Sequence, residues 1–335
     1  MQRLDARERS GLVAAAAVFT AAAASLTGGV AAAHAGHGAR LSLAELNAEF
    51  TAADREQGLH EFRAAVRRLD RVIAADPRHV GALLMRANIE IVLGEFPAAR
   101  RDCNAVLKAG AALAGSVCLA SAQTGPGSLA RARRMLAALP AGAAEPGVEA
   151  WRLTTEADLA LRDDDLEAAL GLLERAHASI PGDEEIRTRL AGVLLEAGDA
   201  ERALAIAKAS PAGSSLARRV VLARAALLAD DANALVYRQQ AENAIRDSRG
   251  DHDVQHDREE AQAALYLAGD AGRALGHARR NFELQKDTAD LRVWVEAALA
   301  AGNAADLRAA RDWLAVSGFE DRVVSARLAD AEIGI

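Results

Sequence analysis

The sequence predicts an all-α protein, an α-solenoid of stacked antiparallel helical hairpins. Three observations carry this. The apolar content is mostly Ala and Leu, a glycine-acid turn pattern returns at a fixed interval, and small residues recur at fixed positions after that turn.

The 335 residues are 51% hydrophobic, 26% charged and only 3% aromatic, a globular composition rather than a disordered one. Ala and Leu are the strongest helix formers, and the β-branched and aromatic residues that favour strands are sparse. Prolines fall largely between apolar periodic segments, as at Pro77, Pro140, Pro181 and Pro211. Proline cannot continue a helix, so these positions separate helices. The net charge of −7 argues against nucleic acid as a partner, which would need a basic face. Local basic clusters such as Arg67, Arg68 and Arg71, or Arg131, Arg133 and Arg134, sit among acidic neighbours and read as solvated helix faces.

Residues 1–35 read as a targeting segment. A short polar stretch with Arg3, Arg7 and Arg9 precedes an apolar run from Leu12 to about Leu26. Ala33-His34-Ala35 fits a small-x-small cleavage site, which would leave Gly36 as the first mature residue. The run falls short of the ~20 apolar residues of a spanning helix. A cleaved signal peptide and a periplasmic or secreted chain are expected. The alternative is an uncleaved inner-membrane anchor facing outward, the one membrane association expected. Residues 36–42 then form a linker, and 43–335 the solenoid, with a bend expected near 140–149. Export also bears on Cys103 and Cys118, because an oxidising compartment permits a disulfide between them. They fall on the second helix of one hairpin and the first helix of the next. Two buried free thiols are the alternative.

The repeat is read from displacement. Phe62-x-x-Ala65 returns as Phe96-x-x-Ala99, and Ala169 maps onto Ala203 by the same 34-residue shift. Gly198-Asp199-Ala200-x-x-Ala203-Leu204 returns as Gly269-Asp270-Ala271-x-x-Ala274-Leu275. Glycine accepts the left-handed conformation that closes one helix, and the following Asp, Glu or Asn opens the next. The small Ala beyond the turn lets paired helices approach closely. A lone hairpin cannot bury its apolar face, so neighbours must stack. Residues 58–109 and 150–211 resemble tetratricopeptide repeats, and 254–316 resembles them more loosely. The stretches 110–149 and 212–253 keep a helical pattern but lose the spacing, and most of the family's large signature positions hold Ala, Leu or Arg. About eight hairpins are expected from Leu43 onward, with Asp321 to Ala331 as a capping helix. Gly125-Pro126-Gly127 and Pro140 to Gly147 are expected as linkers between solenoid halves.

The resemblance implies a scaffold that binds a protein or peptide segment along the first helices of its hairpins. Carried over by the repeat frame, the groove positions are Asn88; Trp151, Thr154, Asp158 and Arg162; Glu185 and Thr188; and His256, Glu259 and Tyr266. Trp151 is the expected anchor, as an exposed indole in a groove is a typical hot spot; burial at a hairpin junction is the alternative. Of the Lys and Asn positions by which some family members grip a carboxylate, only Asn88 is matched.

Catalytic and metal chemistry find little support. His252 and His256 are spaced i,i+4 within the acidic segment 251–257, which makes a metal-handling protein the alternative function. Acid residues at a helix start are already explained by the macrodipole. His37, second residue after the expected cleavage, is a further weak metal candidate. Gly125-Pro126-Gly127-Ser128 lacks the lysine of a phosphate loop. No H-E-x-x-H or G-x-S-x-G occurs, and His60, His79, His177 and His277 have no local constellation. No enzymatic activity and no cofactor are expected.

Overall fold

The computed structural model describes residues 41–140, 145–209, 215–248 and 256–333. The leader, most of the linker, residues 141–144 of the expected bend, and His252 lie outside them. Among the described residues there are 17 helices and no strand. The first four hairpins pair α1 (Leu43–Gly58) with α2 (Phe62–Ala75), α3 (Val80–Val92) with α4 (Phe96–Lys108), α5 (Ala112–Ser121) with α6 (Ser128–Ala137), and α7 (Pro146–Arg162) with α8 (Leu166–Ser179). The next four pair α9 (Glu184–Glu196) with α10 (Ala200–Lys208), α11 (Leu216–Leu228) with α12 (Ala234–Ser248), α13 (Asp257–Tyr266) with α14 (Ala271–Leu284), and α15 (Thr288–Ala300) with α16 (Ala304–Ser317). A last helix, α17 (Arg322–Ile333), follows.

Turn chemistry explains the hairpins. Gly94, Gly198, Gly269 and Gly302 have φ of 75°, 79°, 66° and 63°. At the last three the next residue caps the new helix: Asp199 accepts from the Arg202 N–H at 3.1 Å, Asp270 from the Arg273 N–H at 3.0 Å and Asn303 from the Asp306 N–H at 3.1 Å. Three other turns use non-glycine residues in the same conformation, namely His60, Asp164 and Asp230. The small residues after the turns, Ala65, Ala99, Ala169, Ala203 and Ala274, are fully buried where paired helices meet. First helices contact first helices of neighbouring hairpins, as in α3 with α5, α11 with α13 and α13 with α15. They therefore form the inner layer of the solenoid. Cys103 of α4 and Cys118 of α5 are joined as a disulfide with Cα atoms 5.4 Å apart, tying the second hairpin to the third.

One expectation is corrected. Gly125-Pro126-Gly127 is not a linker between halves but the turn of the third hairpin, with Gly125 and Gly127 at φ 89° and 71°. It is also a docking point. The solenoid winds until its C-terminal loops rest on the turns of its first hairpins. His256 meets the His60 ring at 6.4 Å. The Lys286 N–H donates to the Val92 carbonyl at 2.8 Å, and the Gly125 N–H to the Gly318 carbonyl at 2.7 Å. These pairs lie 193 to 196 residues apart, six hairpins in each case. Glu320 completes the contact by accepting from the Gly127 N–H (2.7 Å), the Leu129 N–H (2.8 Å) and the Ser128 hydroxyl (3.0 Å) at the start of α6. Burial raises the cost of its charge, yet these three donors at a helix N-terminus hold its carboxyl below the usual range.

Candidate binding groove

The inner face divides into a filled part and an open part. On α7, the C-terminal hairpins occupy the positions expected to face a partner. Arg162 is 2% exposed. Its Nε donates to the Glu320 carbonyl at 2.8 Å, and its guanidinium lies 3.9 Å over the Phe319 ring. Asp158 accepts from the Thr288 hydroxyl at 3.2 Å. Arg292 of α15 reaches the carbonyl of Leu161 at 2.7 Å. Arg162 is therefore corrected from a groove residue to a core one, and desolvation lowers its pKa.

Trp151 is corrected as well. It is 6% exposed and belongs to the same core as Ala114, Val117 and Cys118 of α5 and Leu136 of α6. The reason is volume: α5 is built from Ala, Gly, Ser, Val and Leu, and its small residues leave room for an indole. Thr154 is buried too, its hydroxyl donating to the Trp151 carbonyl at 3.0 Å. Glu259, 2% exposed, is removed from any surface role, and burial raises its carboxyl pKa. Asn88, Glu185, Thr188, His256 and Tyr266 remain partly exposed. The Thr188 hydroxyl is engaged by the Glu184 carbonyl of its own helix at 2.8 Å. Desolvation pushes the Glu185 carboxyl up to about 7.

The open part lies on four successive first helices. A cleft is lined by Leu195 and Glu196 of α9, Val220, Val221 and Arg224 of α11, Gln262 and Tyr266 of α13, and Arg292, Val293 and Glu296 of α15. Its enclosed space is ≈ 110 Å³, below the ~300–1,000 Å³ of small-molecule pockets. The chemistry is mixed. Arg224 lies flat over Tyr266, 3.7 Å from the ring centroid. The Tyr266 hydroxyl donates to Glu296, which also pairs with Arg327. Burial, followed by the Glu296 charge, raises the Tyr266 pKa, so the phenol stays protonated and acts as a donor. Arg292 pairs with Glu196 at 3.3 Å. Tyr266 and its ring are thus held on two sides, while Arg224 contributes a cation, fixed in orientation, to the cleft wall.

Of these residues the repeat frame pointed only to Tyr266. Arg224 was missed because the sixth hairpin turns at Asp230 rather than glycine, which breaks the spacing by which a frame is carried across 212–253. Glu196 lies two helical turns beyond Thr188, and the frame carried no position onto α15, which holds Arg292 and Glu296.

Metal chemistry gains no support. Among the described residues no group of three His, Cys, Asp or Glu could hold a metal ion. His256 lies 3.8 Å from Glu259. His277, which lacked a partner in the sequence, sits between Asp257 (2.7 Å) and Glu260 (3.1 Å) and joins α13 to α14. Among the described residues no helix is long and apolar enough to cross a membrane.

Comparison with known proteins agrees with the hairpin geometry. A family model, Tetratricopeptide repeat, matches residues 160–227, which run from the end of α7 to the end of α11. No curated protein matches the sequence. Among solved structures, the chain is similar to a thermophilic TPR protein of Thermus thermophilus at 18% identity, covering 76% of this chain and 98% of that one, TM-score 0.32. It is similar to a tetratricopeptide repeat protein of Parabacteroides merdae at 13% identity, covering 86% and 98%, TM-score 0.38. Superpositions this loose carry no functional argument. Residues 160–227 thus carry tetratricopeptide repeats, and hairpins of the same form stand before and after them.

Proposed function

We propose that the protein is a non-catalytic, exported scaffold that binds an extended protein or peptide segment in the open cleft formed by α9, α11, α13 and α15. The observation that supports this most is the Arg224–Tyr266 pair. An arginine stacked on an aromatic ring, beside the apolar and partly exposed Val221, offers a peptide both a cation and an apolar contact. The shallow, mixed lining suits a chain laid across several helices better than an enclosed small molecule. Export rests on residues 1–35 and accords with the Cys103–Cys118 disulfide.

The groove is tested by selecting peptides from a random library and measuring their affinity by calorimetry. Arg224→Glu should weaken binding at least about tenfold, the loss of roughly 1.4 kcal/mol. Selected peptides that bind Arg224→Glu and the parent equally would place recognition elsewhere. Export is tested by N-terminal sequencing of the chain recovered outside the cytoplasm. A start at Gly36 is expected, and an intact chain confined to the cytoplasm would overturn that part of the proposal.

A further inference from the structure

The edge on which the superhelix closes continues past the closure. The turns of hairpins one to three are covered by loops six hairpins further along, at His256, Lys286 and Gly318. The fourth turn is reached from α17, where Arg322 pairs with Asp163 at 2.9 Å. The same edge runs on through the fifth turn, 197–200, and the sixth, 228–233. Among the described residues, no hydrogen bond or ion pair of this kind joins a later hairpin to these two turns.

That uncovered edge is apolar where a solvated turn would be polar. Leu228, Leu235 and Val236 are 58%, 74% and 52% exposed, three of the five large hydrophobic residues that stand exposed among the described residues. Leu228 lines an open hollow together with Ala229 and Asp230 of the sixth turn and Gly198, Asp199 and Glu201 of the fifth, and Leu235 and Val236 follow in the next helix. Clustered exposure of this kind marks an interaction site. At the first three turns the occupant is an inter-hairpin loop of this same chain, and at the fourth it is the start of α17. The opposite edge of the early hairpins carries such loops uncovered. The one between α2 and α3 exposes Pro77 and Arg78, opposite in charge to Asp199, Glu201 and Asp230.

We propose that the fifth and sixth turns dock a second copy of this chain, which lays its early inter-hairpin loops on them and continues the superhelix head to tail. The interface is a direct continuation of the intramolecular one, with Leu228 and Leu235 exposed on its receiving side. Its two sides are different surfaces, so the contact is heterologous and each copy keeps one edge free. It has no bearing on the cleft of α9 to α15.

Sedimentation velocity on the full chain, from about 5 to about 500 µM, the range of small and weak interfaces, tests this. The weight-average mass should at least double across the range. Leu228→Asp/Leu235→Asp, both at exposed positions, should hold it at the monomer value, and so should Arg78→Glu. An equimolar mixture of the two variants should regain a species that stops at the dimer, because one intact edge of each kind is present. A mass that stays monomeric for the parent chain, association that survives both variants, or a mixture that remains monomeric would each overturn the proposal.

Discussion

The backbone N–H of Gly125 donates to the carbonyl oxygen of Gly318 over 2.7 Å, joining two turns 193 residues apart. Neither residue has a side chain, and Gly318 cannot acquire one without moving Gly125. A Cβ on Gly318 would lie 2.7 Å from the Gly125 nitrogen, and φ there is +66°. At Gly198, φ is +79° but nothing lies within 4 Å of the position a Cβ would take. Gly198→Ala should therefore cost only the left-handed backbone, about 1–2 kcal/mol. Gly318→Ala bears the same strain plus the lost closure, and should cost about 1–2 kcal/mol more. Amide hydrogen exchange distinguishes them: faster exchange in α17 and the start of α6 for Gly318→Ala, and in α9 and α10 for Gly198→Ala.

Arg162 sets the second prediction. Its Nε is bonded to the Glu320 carbonyl and its plane is packed on Phe319, while Nη2 is buried without a hydrogen-bond partner. Truncation to Ala opens a cavity and leaves the buried Glu320 carbonyl unbonded, together about 3 kcal/mol. Arg162→Met restores the aromatic contact but not the bond, and should recover roughly half of that. Urea denaturation of the two variants reads the difference. Equal losses would mean that the contact with Phe319 adds nothing to the hydrogen bond.

The disulfide should act locally. Cys103 and Cys118 close a loop of 15 residues, for which chain entropy gives about 3 kcal/mol. In a repeat array each hairpin touches mainly its neighbours, so the loss is confined rather than shared. Reduction, or Cys103→Ala/Cys118→Ala, should raise exchange in α4, α5 and α6 and leave α13 to α15 unchanged. Uniform acceleration along the chain would show instead that the closed superhelix unfolds as one unit.

Much of the architecture was legible because its causes are local. Gly-Asp turns, the prolines after Ala75 and Ser179, and the Ala residues of helix contacts all act within one hairpin. The turns at His60, Asp164 and Asp230 were hidden because a left-handed non-glycine residue leaves no signature in the sequence. The groove was less legible for a different reason. A repeat frame says which helix face looks inward, not whether solvent or another part of the chain meets it. Trp151 and Arg162 both lie on the correct helix. Their burial is decided by the small residues of α5 in one case and, in the other, by Phe319 and Glu320, some 160 positions away. Arg224 was missed because the sixth hairpin is out of step.

Glu90 gives a prediction in pH. It is 9% exposed, its Oε2 has no hydrogen-bond partner, and desolvation, reinforced by Asp102, pushes its pKa up to about 7. The folded state then binds a proton more tightly than the unfolded chain, whose glutamate titrates near 4.3. Its contribution favours folding at low pH, declines as pH rises from about 4.3 to about 7, and is absent above that. The charged form costs up to about 3 kcal/mol, an upper figure because water relieves part of it. Glutamine keeps the shape and neutrality of the protonated acid at every pH. Glu90→Gln should therefore raise the melting temperature at pH 8 by several degrees, with the gain shrinking as pH falls and small at pH 5. Thermal melts at pH 5, 6.5 and 8 measure it. A gain that is the same at all three would show that Glu90 is charged throughout and that its neighbour Arg86 satisfies it.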